Sequence, residues 1–235
     1  MTVRRPATRV VLALSLVALA LTGIALSVWQ VQRRAWKHAL IEAVETRSTA
    51  APVAAPGPDQ WPRIAADRDA YRRVTFTGRF AHDRETLVQA VTARGGGYWV
   101  VTPLVGDRFT VLVNRGFVPP DRRDAATRIE SNRAGRATIT GLLRISEPDG
   151  GFLRSNDPKG DRWYSRDVAA IAAARLLGNT APYFIDADAT PNPGGYPVGG
   201  LTVLQFSDNH LAYALTWFAL AIGCAWGAMM VWRRP

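Results

Sequence analysis

The chain has a single cysteine, Cys224, among 235 residues. No intrachain disulfide is possible, and the patterns CxxC, CxxxC and CxxCH are missing. That argues against a thioredoxin-type redox site, a thiolate copper carrier and covalent c-type haem. Lysine is nearly absent too, at Lys37 and Lys159 only, which reads as genomic bias toward arginine. The catalytic signatures GxSxG, HExxH, GxxxxGK[ST] and GxGxxG are missing, so the residues point away from an enzyme. The net charge is +10, but no stretch interleaves basic residues with aromatics as nucleic-acid binders do, and no nucleic-acid partner is expected.

Charge is also missing from two long runs, Val10 to Trp29 and Leu211 to Trp232. About 20 consecutive apolar residues match the hydrocarbon thickness of a bilayer. Both runs end in tryptophan, which favours the headgroup zone. A cleaved signal peptide is the alternative for the first, with "ALS" at 25–27 as a small-residue site. The segment "WQVQRRAWKHALIEAVE" continues that run in helical phase, which favours a retained span. Arg4, Arg5 and Arg9 precede the first run; Arg33, Arg34 and Lys37 follow it, so its orientation is ambiguous. Asp208 before the second run and Arg233 and Arg234 after it place the C-terminus in the cytoplasm. The expected organisation is a cytoplasmic N-terminus (1–9), a first span (10–29), a domain (30–209), a second span (211–232) and a cytoplasmic C-terminus (233–235). The domain would be periplasmic and the protein would sit in the inner membrane if the cell is a Gram-negative bacterium. All 19 acidic residues and 24 of the 29 basic ones lie within that middle domain.

The domain opens with a helical stalk, in which Trp36, Leu40 and Val44 fall at i, i+4 and i+8. The Ala/Pro-rich stretch "STAAPVAAPGPDQWP" reads as a loop. Strands are then expected over 72–80, 86–93, 95–104, 108–119, 136–146 and 181–187. A helix is expected over 168–178, capped by Asp167 and closed by Gly178. The resulting fold class is an α+β membrane protein. Two transmembrane helices would flank an extracytoplasmic antiparallel β domain, a sheet or a small barrel, with a short helix.

Few residues offer chemistry. Asp186 and Asp188 form a DxD pair that reads as a strand end or, less simply, a metal site. The glycines of "ARGGGYWV" read as a turn before a strand or as a phosphate cradle, though no helix N-terminus follows them. His82 and His38 read as solvated. His210 stands where a polar turn meets the second apolar run. At helical spacing His210, Tyr213, Ala214 and Trp217 share a face, offering an imidazole, a phenol, a small gap and a large ring. That face reads either as a haem site or as an ordinary interfacial helix start with Asp208 and Asn209 as caps.

The segments "GIALSVWQVQRRAWKHALI" (23–41), "YRRVTFTGRF" (71–80), "GYWVVTPL" (97–104), "VLVNRGFVP" (111–119), "NDPKGDRWYSRD" (156–167) and "NHLAYALTWFALA" (209–221) give the chain a broader likeness. It resembles the surfeit locus 1 family of cytochrome c oxidase assembly factors, in family order over nearly the whole length, with Phe117 where the family more often has tryptophan. The resemblance implies a non-catalytic factor that binds haem a noncovalently and assists its insertion or stabilisation in oxidase subunit I. His210 would be the iron ligand, with Tyr213 and Trp217 as wall residues. Arg115 has a fold reading, at a strand end before Gly116 and Pro119, and a functional one, pairing with a haem propionate. Subunit I, other assembly factors, haem A synthase and membrane lipid are the implied partners. The competing reading is a cofactor-free membrane scaffold that stabilises an oxidase assembly intermediate.

Overall fold

A computed structural model describes residues 6–132, 134–151, 153–204 and 208–233. Arg4, Arg5, Ser207 and Arg234, on which parts of the sequence reading rest, lie outside them. The chain divides into two compact units, Met1–Ala43 with Gln205–Pro235, and Val44–Leu204. In the first unit the apolar runs are helical. Helix α1 (Pro6–Thr49) contains the first run and the stalk, and helix α4 (His210–Arg233) contains the second run. Each is long and apolar enough to cross a membrane. The stalk stripe differs from expectation at its start. Trp36 is 54% exposed, with the Arg33 guanidinium 3.9 Å from its ring centroid.

The second unit is a seven-stranded sheet in the order β1-β2-β6-β7-β5-β4-β3. The strands are β1 (Val53–Ala54), β2 (Arg73–Phe80), β3 (Thr86–Thr92), β4 (Gly95–Val105), β5 (Thr110–Val118), β6 (Arg136–Ile145) and β7 (Thr180–Ala187). A further pairing of β2 with β4, Arg79 to Val105 and Phe80 to Leu104, joins β2, β6, β7, β5 and β4 into a closed ring. Closure is the small-barrel form of the expected β domain, and it removes free edges from five strands. Two pairings depart from a purely antiparallel sheet: β1 runs parallel to β2, and β5 parallel to β7. Between β5 and β7 the chain passes through β6 and the short helix α3 (Val168–Ala174), the long crossover that a parallel pair requires.

Alternation along the ring strands separates two cores. Val74, Leu104, Val111, Val113, Leu143, Tyr183 and Ile185 come from all five ring strands and form the first cluster. Leu112 and Phe184 point the other way and join Val88, Val101, Trp163, Val168 and Ile171 beneath α3. Strand β5 is therefore buried along its whole length, its apolar stretch Val111–Val113 facing both clusters and Asn114 and Arg115 buried after it. Helix α3 starts where Asp167 accepts the Ala170 N–H, the expected cap. The Ala/Pro stretch is more than a loop. It supplies β1, a 3-10 turn (Pro58–Arg63) and, after it, the one-turn helix α2 (Ala66–Asp69). Ala55, Trp61 and Ile64 pack on the barrel core, with the Trp61 ring edge-on to Phe109 at 5.5 Å. Proline removes backbone donors there, and the Trp61 indole N–H and Tyr183 hydroxyl both donate to the freed Pro56 carbonyl, at 3.0 and 2.7 Å.

Candidate functional site

Helices α1 and α4 lie antiparallel along a narrow seam. The buried and half-buried positions include a regular series, Ala13, Leu16, Ala20, Gly23, Ser27, Gln30 and Arg34 on α1, and His210, Ala214, Trp217, Ala221, Cys224, Ala228 and Val231 on α4. Steps of three and four residues are the 3.5 repeat of coiled-coil packing. Small side chains let the backbones approach, and van der Waals contact then holds the pair where lipid offers no hydrophobic driving force. A Cβ on Gly23 would lie 3.0 Å from both Ala221 Cβ and the Trp217 carbonyl oxygen. Ser27 Oγ donates to the Ala214 carbonyl at 3.0 Å. Gly23→Leu is expected to destabilise the helix pair by about 1–3 kcal/mol through overpacking. Gly227→Ala, whose Cβ would meet Leu16 at an ordinary 3.5 Å, should stay within about 0.5 kcal/mol of the parent. Unfolding in detergent micelles measures both.

His210 opens α4 on this seam. Its ring Nδ1 lies 2.7 Å from Gln30 Oε1. An amide oxygen only accepts, so Nδ1 is the donor in this contact, and in a neutral imidazole Nε2 then holds the lone pair. The start of the helix is fixed by the residues before it: Asp208 Oδ1 accepts the His210 backbone N–H at 3.0 Å, and the Asn209 carbonyl accepts the Tyr213 N–H at 3.2 Å. The other Asp208 oxygen is 2.7 Å from His38 Nε2 and 3.3 Å from Arg34 Nε. Gln30, Arg34 and His38, four residues apart on α1, thus hold the imidazole directly and through the cap. His38, read from the sequence as merely solvated, is 55% exposed yet bonded to Asp208.

The His210 backbone N–H is the main cause holding the Asp208 carboxyl below the usual carboxylate range, opposed in part by desolvation and helped by His38 and Arg34. A carboxylate depressed in the folded state contributes stability above its ordinary pKa and loses it as pH falls through the depressed value. The parent should therefore melt higher than Asp208→Asn at neutral pH, the gap should begin to close as pH falls below about 4, and the two should converge only below the depressed value. A melting series across that range checks the sign.

Of the other residues singled out by sequence, Trp217 is half-buried on the seam, whereas Tyr213 is 56% exposed beside it. Ala214, read as a gap beside a ligand, is buried where Ser27 meets it, so α1 fills that gap. Arg115 lies in the second unit, buried on β5. It donates to the Ser131 carbonyl at 2.5 Å, lies 3.3 Å from His82 Nδ1, and sits over the Phe80 ring at 5.2 Å. These are contacts that hold a fold, and they draw in His82, which the sequence presents as solvated. Gly116 follows at φ 130°, with a Cβ that would meet the Val198 carbonyl oxygen at 2.1 Å. Asp186 of the DxD pair is buried. It accepts from Asn114, Arg144, Arg166 and Thr202 at 2.8, 2.6, 3.1 and 3.0 Å. Asp188 caps Thr190. Among the described residues no group of three or more His, Cys, Asp or Glu side chains gathers as a metal site.

One family and three relatives in it set this chain beside known proteins. The model of the SURF1 family matches residues 17–222, a stretch that includes Gln30, Asp208 and His210. Surfeit locus protein 1 of Rattus norvegicus is 34% identical over 233 residues, covering 91% of this chain and 74% of that protein. Surfeit locus protein 1 of Homo sapiens is 35% identical over 224 residues, 88% and 72% respectively. A SURF1-like protein of Drosophila melanogaster is 34% identical over 236 residues, 91% and 76%.

Proposed function

Since this chain belongs to the SURF1 family, we propose that it is a membrane-anchored, non-catalytic assembly factor for cytochrome c oxidase. In this reading it holds haem a as cargo through His210 while the cofactor is inserted into subunit I. The carrying observation is the Gln30–His210 hydrogen bond. Iron-ligating imidazoles characteristically donate their second ring N–H to a fixed acceptor, which sets the tautomer and aims the lone pair. Gln30 does this for His210, so the residues present fit a haem iron. Bound haem would supply a redox-active iron, and a neutral imidazole at His210 would hold it. His210 Nε2 is the donor atom, Gln30 the positioning residue, and exposed Tyr213 and half-buried Trp217 are the flanking rings. Arg115 has no role in this reading, because its contacts account for it within the barrel.

The two apolar helices and Arg233 at the end of α4 support a topology with both termini in the cytoplasm and the β unit outside it. Oxidase subunit I, other assembly factors and haem A synthase are the partners this function requires. Co-expression with haem A synthase, followed by purification and absorption spectroscopy, tests the cargo claim. The parent is expected to carry haem a and His210→Ala to be colourless. Gln30→Ala should retain the ligand but lose about 10–100-fold in haem affinity, as loss of such supporting bonds does elsewhere. A colourless parent would instead favour a scaffold without cofactor.

A further inference from the structure

Strand β3 ends the sheet, and its outer edge is only partly covered. The Gln89 N–H points away from β4 and donates to the Trp163 carbonyl at 2.8 Å, with Val88 bridged in parallel to Trp163. Outward and inward groups alternate along an antiparallel strand. Val91, two residues on, therefore also turns its N–H and carbonyl outward, and neither has a hydrogen-bond partner among the described residues. The Val91 side chain is 91% exposed.

The same stretch lines an open groove with Gln89, Gly96, Tyr98, Arg154 and Tyr164. No carboxylate lines it. The Arg154 guanidinium lies 5.4 Å from the Tyr164 ring centroid and donates to Gln89 Oε1 at 3.2 Å. Arg123 sits 5.1 Å from the Tyr98 ring. Gly96 adds an independent oddity. Glycine weakens a strand interior, yet a Cβ at Gly96 would meet nothing within 4 Å, whereas one at neighbouring Gly97 would strike Val118 and Phe117. Among the described residues nothing requires the bare backbone at Gly96, and a close external neighbour would.

We infer that this groove docks an extended acidic segment of a partner protein, which adds to the sheet at Val91 and places carboxylates against Arg154 and Arg123. Main-chain bonds to an open edge recognise extended polypeptide, and pockets beside the edge choose its side chains. Two guanidiniums stacked on tyrosines, with no carboxylate among the lining residues, choose acidic ones.

The test uses the full chain in non-ionic detergent and a fluorescein-labelled octapeptide of alternating Glu and Val, with the Lys–Val octapeptide as counterpart, followed by fluorescence anisotropy. Saturable binding of the acidic peptide at least tenfold tighter than the basic one is expected. Arg154→Glu, an exposed change, and Val91→Pro, which deletes an N–H outside the β3–β4 ladder, should each weaken it at least tenfold. Both variants should melt close to the parent. Should Val91→Pro not fold, protection of the Val91 amide from hydrogen exchange on adding the acidic peptide replaces it. The proposal is overturned by absent saturable binding, by equal binding of the two peptides, or by acidic-peptide binding that neither Arg154→Glu nor Val91→Pro reduces.

Discussion

Asp186→Ala is expected to destabilise the β unit by about 3–5 kcal/mol, the usual consequence of removing one partner from a buried ionic cluster. Asp186 is 3% exposed and takes hydrogen bonds from two guanidiniums, an amide and a hydroxyl. Without its carboxylate, the one ion-pair partner left to Arg144 and Arg166 among the described residues is Glu147, which is more open to water. A double-mutant cycle separates this ionic effect from lost packing: Arg144→Met added to Asp186→Ala should cost less than the two single changes together. Because domain stabilities are themselves about 5–15 kcal/mol, chemical denaturation should place Asp186→Ala near the edge of folding. A loss below about 1 kcal/mol would mean that the cluster is not buried as described.

Gly116→Ala is expected to be comparably severe for a different reason. At φ 130° an L side chain is strained, which costs roughly 1–3 kcal/mol by itself. The added Cβ would also lie 2.1 Å from the Val198 carbonyl oxygen, so the 196–200 segment must move. That movement breaks the reciprocal Phe117–Val198 backbone bonds, both 2.9 Å, worth about 1 kcal/mol each. Asn114 is the internal control. Its Oδ1 accepts the Gly116 N–H at 3.1 Å, and Asn114→Ala leaves the φ angle feasible, so it should cost less. Equal melting temperatures for Gly116→Ala and the parent would contradict the close approach.

The strands and spans were legible in the sequence because each follows from a local period. Val74, Phe76 and Phe80 alternate, Val111–Val113 form an apolar run near the start of β5, and Asp167 sits one residue before its helix. "VNRGFVP" was legible as a turn but not as a network, since Asn114 and Gly116 are explained by Asp186 and Val198, 72 and 82 positions away. Strand direction was also hidden. Alternation is the same for parallel and antiparallel neighbours, so the parallel β5–β7 pair needed the crossover to be seen. At the candidate site, Gln30, Arg34 and His38 show a four-residue period, but only the fold reveals that their face meets His210 and Asp208. A 3.6-residue helical wheel put Tyr213 beside His210, whereas the 3.5 repeat of a packed pair selects Ala214 and Trp217.

The claim that His210 ligates haem a iron through Nε2 is tested most directly by chemical rescue. His210→Gly is purified after co-expression with haem A synthase, incubated with haem A and freed of unbound haem, and absorption spectra are recorded with and without added imidazole. The account predicts that the haem a spectrum is lost in the variant and restored by imidazole, which refills the cavity beside Gln30. An unchanged haem content and spectrum in His210→Gly before imidazole is added would contradict it.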